Sequence, residues 1–326
     1  MMRVQVVGAG VAGLCVANEL SSRGVEVSLH DKHSPPGPHA CSWWAGGMLA
    51  PFCEGESAEE PVIRLGRRAA SWWQKFTGSV DYKGSLVLSA KRDKNELLRF
   101  ASMTSHHRWV DHLSIAELEP DLAGHIRQGL YFDSEAHLDP RVALARLVDT
   151  LASQGVVCTQ EEPLSDILTI DCRGLAAKDA LADLRGVKGE MLILKNPELN
   201  ISRPVRFIHP RMPLYIVPRG SGVYMLGATM IESSDRSRIT ARSMLELLSA
   251  AYALHPAFAE SEVLEIGVDV RPAFPDNLPR IRRRGNRLFI NGLYRHGYLL
   301  APALAEMTAD YILTHKQPEL MDECTI

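Results

Sequence analysis

The apolar stretch Val4 to Val7 runs directly into glycines at the spacing G-x-G-x-x-G, at Gly8, Gly10 and Gly13, and few backbones use that pattern. Gly8 permits a tight strand-to-helix turn, Gly10 lets the backbone approach a pyrophosphate, and Gly13 lets the helix pack closely on the strand. The helix N-terminus then faces the anion with unpaired N–H groups and a favourable dipole. Leu14 to Arg23 reads as that helix and Val25 to Leu29 as a second strand, closed by Asp31 18 residues after Gly13. An acid there accepts hydrogen bonds from a ribose 2′-hydroxyl, which favours an unphosphorylated adenosine end, FAD or NAD, over NADP. A plain glycine turn in another α/β sheet needs none of these companions.

With 326 residues the chain has room for about two domains and a core that needs no staples. A net charge of −3 leaves no basic footprint for nucleic acid, and the run Arg282 to Arg284 reads as a solvated turn. The expected partner is a small molecule. The six cysteines are scattered without C-x-x-C pairs or histidine clusters, so neither a metal site nor a disulfide framework is expected, and reduced cytoplasmic thiols fit best. The N-terminal apolar run is broken by glycines and continues into Asn18 and Glu19, unlike a signal peptide. No apolar run reaches the roughly 18 residues that a membrane span needs.

After Asp31 the segment 33–56 is first Pro- and Gly-rich and then reads Gly46-Gly47-Met48-Leu49-Ala50-Pro51, a loop leading to a helix and not a strand. Small residues at 45–47 would let a flat ring lie against bare backbone, and Ser42 could bond a phosphate or ribityl hydroxyl. Trp43 and Trp44 either plug a seam or touch the cofactor. Pro61 to Phe76 has helical spacing, Gly84 to Ala90 reads as a strand, Lys94 to Thr104 as a helix, and Leu113 to Leu118 has no assignment. Gly129 to Phe132 is a strand, and a helix entered at Asp139 with Pro140 in its first turn runs to Gly155. Strands at Val156 to Cys158 and Asp166 to Asp171 resume the opening alternation, and from Met191 the texture changes to antiparallel strands. A hairpin turns at Gly220-Ser221-Gly222. A helix from Thr240 to Leu254 follows, the last helix begins near Pro302, and the tail after Lys316 is expected to fray.

Four blocks resemble the FAD-dependent D-amino acid oxidases, and within them the glycine oxidases of bacterial thiamine biosynthesis: VVGAGVAGL with Asp31, SWWAGGMLAP, the hairpin YIVPR with GATMIE, and the pair VRPAFPDNLPRI and LYRHGYLLAP. The resemblance implies an α/β (α+β) fold: a Rossmann-type FAD-binding domain of the glutathione reductase or D-amino acid oxidase type, with an antiparallel-sheet substrate domain. Residues 1–80, 130–189 and 267–326 would form the discontinuous FAD domain, and 81–129 and 190–266 the substrate domain. Beside Gly8, Gly10 and Gly13, it puts Val11, Ala12, Asp31, Lys32, Ser42, Gly46, Gly47 and Met48 on cofactor positions. Leu293, Tyr294, Arg295, His296, Gly297, Tyr298 and Leu299 would lie beside the flavin ring.

By the same resemblance Arg271 matches the arginine that clamps a substrate carboxylate, Arg295 a second arginine of the site, and Tyr215 and Met230 pocket-lining positions. A planar fork suits that task, because it fixes a carboxylate bidentately where lysine would hold it less rigidly. The implied activity is oxidative deamination of glycine, sarcosine and small D-amino acids to the imino acid, with oxygen reduced to hydrogen peroxide, supplying the thiazole of thiamine. Alternatives are a dehydrogenase of an N-substituted glycine or D-amino acid with another electron acceptor, and a flavoprotein without turnover. No protein base is required if the amine binds neutral. No cysteine lies between 267 and 300, so FAD would be non-covalent. Departures from the family pattern are Leu293, His296 where asparagine is usual, Lys188-Gly189-Glu190 for Arg-Gly-Gln, Asp171 to Gly174, and a shortened stretch after Cys158 near Val157. A homo-oligomer is compatible with this reading; no membrane or nucleic-acid partner is expected.

Overall fold

Strand Arg3–Val7 lies in the interior of the first layer's sheet, with a neighbour on each side. Val4 and Val6 are fully buried, and so is Gln5, whose amide is satisfied: Nε2 donates to Thr169 Oγ1 at 2.8 Å and Oε1 accepts from Leu164 N at 2.9 Å. Its neighbours Glu26–His30 and Leu168–Asp171 are both parallel to it, with Val4 beside Val27 and Leu168. A parallel pair needs a crossover, and helix Val11–Ser22 supplies the first one. The seven-stranded sheet that results is completed by Cys158–Thr159 on one side and by Arg287–Asn291, Arg280–Arg284 and Met321–Thr325 on the other. The structure is a computed structural model that describes residues 2–33, 36–209 and 213–325; Ser34 and Pro35 of the Pro-rich loop lie outside them.

The second layer is a nine-stranded sheet among the described residues. Its long strands Arg185–Lys195 and Glu262–Ala273 pair antiparallel, and hairpin Leu214–Pro218 with Val223–Gly227 turns where Gly220 to Gly222 is expected to turn it. The expected all-antiparallel block has one parallel seam, Val205–Ile208 against Ser85–Ser89. The boundary expected at 130 falls inside strand Gln128–Phe132, and that at 267 inside strand Glu262–Ala273; both strands belong to this sheet.

Several local expectations give way to tertiary contacts. Leu113 to Leu118 lies in helix His112–Leu118, capped by Asp111, which accepts from Ser114 N. Pro61 to Phe76 is two helices, Glu60–Gly66 and Ala69–Thr77. A Cβ on Gly66 would stand 2.7 Å from Leu299 Cγ, so bare backbone brings the first helix against Leu299 before the second turns Trp72 and Trp73 inward. The arginine run 282–284 is strand, not turn, and the tail is strand, not frayed. Arg282 bridges Asp183 and Asp322 at 2.7 Å each, and Arg284 meets Glu323 at 2.6 Å, so complementary charges accompany the ladder.

The last helix, Gly297–Thr314, begins five residues before Pro302 and carries it inside. Proline there has no N–H for the Tyr298 carbonyl, and Trp73 Nε1 donates to that carbonyl instead, at 2.7 Å. Trp73→Phe should therefore cost about 1–3 kcal/mol, the cost of a buried acceptor left unpaired. Urea denaturation of the FAD-loaded protein measures it; an unchanged midpoint would mean that the carbonyl needs no such partner. No helix among the described residues is long and apolar enough to cross a membrane.

Candidate active site

A cavity of about 610 Å³ opens between the two layers, lined from the first by the glycine loop and from the second by residues of the hairpin and the long strands. Gly8 has φ +103°, and a Cβ there would meet Cys172 O at 2.6 Å; only glycine adopts this turn at no steric cost. A Cβ on Gly13 would stand 1.8 Å from Gly8 O, so Gly13 does not line the cavity but seals helix against strand behind it. Gly10 does line it, and helix Val11–Ser22 starts there with no side-chain cap and no acid in its first turn. The N-terminal end of the helix, with its backbone N–H groups and positive dipole end, thus faces the space where a pyrophosphate would lie. Val11 and Ala12 stand on this wall, and Val11 N donates to Ser42 Oγ at 3.2 Å, tying the next loop to the helix start.

Asp31 and Lys32 line the same cavity. The Asp31 carboxylate is held by Ala9 N at 2.6 Å and His33 N at 2.7 Å, which fixes it at the strand end. The shortened stretch after Cys158 also contributes: Gln160 to Pro163 line the wall, with Glu161 O 2.9 Å from His30 Nδ1, whereas Val157 is exposed. The sequence offered no motif for this wall.

Ala45 to Gly47 form a shelf of small residues, with Met48 lining the cavity beside them. Gly47 has φ +73° and presses on Leu138 O, which a Cβ would approach to 2.2 Å. Met48-Leu49, expected as loop, pairs with Ala136-His137 as a two-residue ladder. Arg219, absent from the expected site, braces the shelf from the second sheet by donating to Ala45 O, Gly46 O and Leu138 O at 2.9–3.0 Å. Burial pushes its guanidinium down to about 10. Trp44 lines the cavity and packs on Gly267, whereas Trp43 packs on the core. Arg141 lies over both rings, 4.7 and 5.3 Å from their centres.

Leu293 to Leu299 close the inner end. Tyr294 is left-handed at φ +50°, a sparsely populated conformation for a non-glycine residue, and its N–H donates to Pro272 O at 2.9 Å. The last helix starts at Gly297, so its positive end faces the cavity, with no acid in the first turn.

The two arginines are placed differently. Arg271 lies on bare backbone, its Nη2 2.4 Å from where a Gly189 Cβ would be, and Nη1 donates to Thr229 O at 3.1 Å. Burial lowers its pKa, and no carboxylate pairs with it among the described residues. Arg295 also lines the cavity, but its charge is matched by a residue the sequence reading passed over: Nη2 is 2.7 Å from Glu54 Oε2 and 2.6 Å from Ser57 Oγ. Glu54 also receives His296 Nε2 at 2.9 Å. Burial raises the Glu54 carboxyl, but Arg295 and His296 outweigh it and hold the group well below the usual carboxylate range. The signal was present in the stretch from Gly46 to Glu56, which ends in two acids, Glu54 as the last residue of the short helix Pro51–Glu54 and Glu56 just past it. Tyr215 lines the cavity with its ring 5.1 Å from the buried Arg206 guanidinium, and Met230, half-exposed, touches the Tyr294 hydroxyl through sulfur at 3.4 Å.

Behind Glu54 sits a second buried acid, Glu135, whose Oε1 accepts from Cys53 N at 2.8 Å while Oε2 has no hydrogen-bond partner among the described residues. Burial, with the nearby charge of Glu54, pushes it up to about 7. A raised carboxyl pKa means that the folded state keeps a proton the unfolded chain releases, so stability falls as pH rises from about 4.5 to about 7. Glu135→Gln should remove that slope, worth about 3 kcal/mol across the window. Denaturation midpoints at pH 4.5 to 8 test it; an unchanged slope would assign the dependence to other groups. Among the described residues no group of three or more His, Cys, Asp or Glu could hold a metal ion.

Residues 3–311 match the DAO family of FAD dependent oxidoreductases. A Rhizobium etli protein named for thiamine biosynthesis as the oxidoreductase ThiO is 53% identical over 98% of this chain and 99% of its own length. A glycine oxidase of Bacillus licheniformis is 25% identical over 94% of this chain and 92% of its own. The crystal structure of glycine oxidase from Bacillus cereus superposes with a TM-score of 0.82 at 21% identity, covering 97% of this chain and 96% of that one.

Proposed function

The chain belongs to the DAO family of FAD-dependent oxidoreductases, and on that premise we propose that it oxidises glycine and other small amino acids, sarcosine and small D-amino acids among them, to the imino acid with production of hydrogen peroxide. The similarity to ThiO along nearly both full lengths supports a place in thiamine biosynthesis, as the source of dehydroglycine for the thiazole. FAD held between these layers would supply a two-electron acceptor for oxidation at the substrate Cα, with oxygen as the final acceptor. The chain's residues fit it: a left-handed Gly8, the bare Gly10, an uncapped helix start, the Asp31 carboxylate and the bare shelf at Gly46-Gly47. No cysteine lies between 267 and 300, and burial pushes the Cys41 thiol in the wall up to about 12, in keeping with non-covalent binding.

The observation that carries the substrate reading is the contrast between the arginines. Arg295 is neutralised by Glu54, whereas Arg271, at the cavity wall and held by the Thr229 carbonyl, has no carboxylate paired with it among the described residues. One unmatched guanidinium selects one carboxylate, and a bidentate fork orients it. With the carboxylate fixed there, the Cα–H must point along one direction, so one hand of a chiral substrate is oriented for reaction. Tyr215, Met230 and Tyr294 also line the wall, where they would meet a substrate side chain. Peroxide production from a panel of substrates tests this. Glycine should have the highest kcat/KM, with sarcosine, D-alanine and D-proline behind it by roughly 10- to 200-fold per added group, because a pocket rejects a methylene by only about 1–3 kcal/mol. Preference for an L-amino acid or a bulky D-amino acid would contradict it.

A further inference from the structure

Strand Arg185–Lys195 carries two buried charges, Lys188 and Glu190, on either side of Gly189. Lys188 Nζ stands 3.4 Å from Glu190 Oε1 and also donates to Ser237 Oγ at 3.2 Å and Arg238 O at 3.4 Å. Glu190 is joined to Thr229 three times: Thr229 N donates to Glu190 O at 3.1 Å, Glu190 N to Thr229 Oγ1 at 2.9 Å, and Thr229 Oγ1 to Glu190 Oε2 at 3.1 Å. The pair therefore grips one loop at both ends, 229 through Glu190 and 237–238 through Lys188. That loop carries Met230 into the cavity wall, and its Thr229 carbonyl accepts from Arg271 Nη1.

A buried ion pair is weak evidence for stability, since apolar residues of similar volume often replace one without loss. Its place in this fold gives it a geometric use. The Thr229 hydroxyl has one proton, and with its oxygen already accepting from Glu190 N, that proton goes to the Glu190 carboxylate. Both the backbone and the side chain of Thr229 are thus held, and its carbonyl is aimed at one Nη of Arg271. The guanidinium lies on bare Gly189 at the same time, so two neighbours in one strand and the loop they hold determine the plane of the fork.

We infer that the Lys188–Glu190 pair is a positioning device for the substrate clamp, acting through Thr229 to orient Arg271 toward the substrate carboxylate. The inference rests on the reading of Arg271 as that clamp. Lys188 and Glu190 touch neither substrate nor flavin in this account; they act through another residue.

The test uses the FAD-loaded enzyme and acetate as the smallest carboxylate probe, titrated through the flavin absorbance, together with KM and kcat for glycine. Thr229→Val keeps the shape and removes the hydroxyl, and Glu190→Gln removes the acceptor charge. The double variant Lys188→Met with Glu190→Gln removes both charges, so a folded comparison exists even if Glu190→Gln alone leaves a buried lysine uncompensated. Each folded variant should bind FAD as the wild type does, while the acetate Kd and the glycine KM rise together by about 10- to 100-fold, the effect of a misplacement near 1 Å. kcat should change far less, which a role in stability alone would not produce. An FAD-loaded Thr229→Val or double variant with wild-type acetate Kd and glycine KM overturns the inference. Arg271→Ala is the control: if it weakens acetate and Thr229→Val does not, the inference alone fails, and if Arg271→Ala itself binds acetate normally, the clamp reading fails and the inference with it.

Discussion

Arg271→Ala should keep its FAD and lose its grip on substrate, with KM for glycine raised about 30- to 1,000-fold, because a charge-assisted clamp is worth about 2–4 kcal/mol. The cofactor should stay because Arg271 belongs to the second sheet, whereas the glycine loop, Asp31 and the Gly297 helix start belong to the first layer. Arg271→Lys should fall between the two. An ammonium keeps the charge but loses the planar fork that lies flat on Gly189, and a lysine cannot hold a carboxylate bidentately. Steady-state kinetics at low glycine measure both variants. Near-normal turnover by Arg271→Ala there would remove the residue from the site.

Glu54→Ala should be the most destabilising single change near the cavity, by about 3 kcal/mol, since it strands a partly buried guanidinium and the buried His296 ring that were paired with it. Arg295 would lose its carboxylate at 2.7 Å and His296 its partner at 2.9 Å, both on the segment that leads into the last helix. The pH dependence has a definite sign. A carboxyl held well below its usual range contributes stability that is fully present above about pH 4.5 and is lost as pH falls toward its folded value. The difference between wild type and Glu54→Ala should therefore be largest at neutral pH and shrink in acid. Denaturation of the FAD-loaded forms at pH 7 and pH 4 reads it directly, and a difference that grows in acid would show that Glu54 is not the ionised partner described.

What could be read from residues alone was what local chemistry dictates. The strand, glycine turn, helix and closing acid from Val4 to Asp31 need only neighbours in sequence, and Asp139 capping the helix that begins with Pro140 is equally local. Arg271 was singled out because its block is distinctive, and its contacts came only with the fold. Glu54 was passed over because its meaning lies in Arg295, 241 residues away, and Arg219 because its partners are backbone carbonyls on another layer. The last helix was placed too late for a related reason. Pro302 reads as a start signal, and nothing nearby in sequence reveals that Trp73 will satisfy the carbonyl that proline abandons. The tail was read as fraying because its acids meet their arginines only across strands, at Asp322 and Glu323.

On the proposed function, glycine reduces an enzyme-bound FAD that oxygen then reoxidises, and one sequential measurement reads both halves. Under anaerobic conditions, glycine added to the purified yellow protein should bleach the visible flavin band, one flavin per substrate oxidised, and Arg271→Ala should need far more glycine to do so. Admitting air should restore the band and release one hydrogen peroxide per flavin. A flavin that stays oxidised under excess glycine would contradict the account at its root, and one that bleaches but is not reoxidised by air would replace oxygen with another electron acceptor.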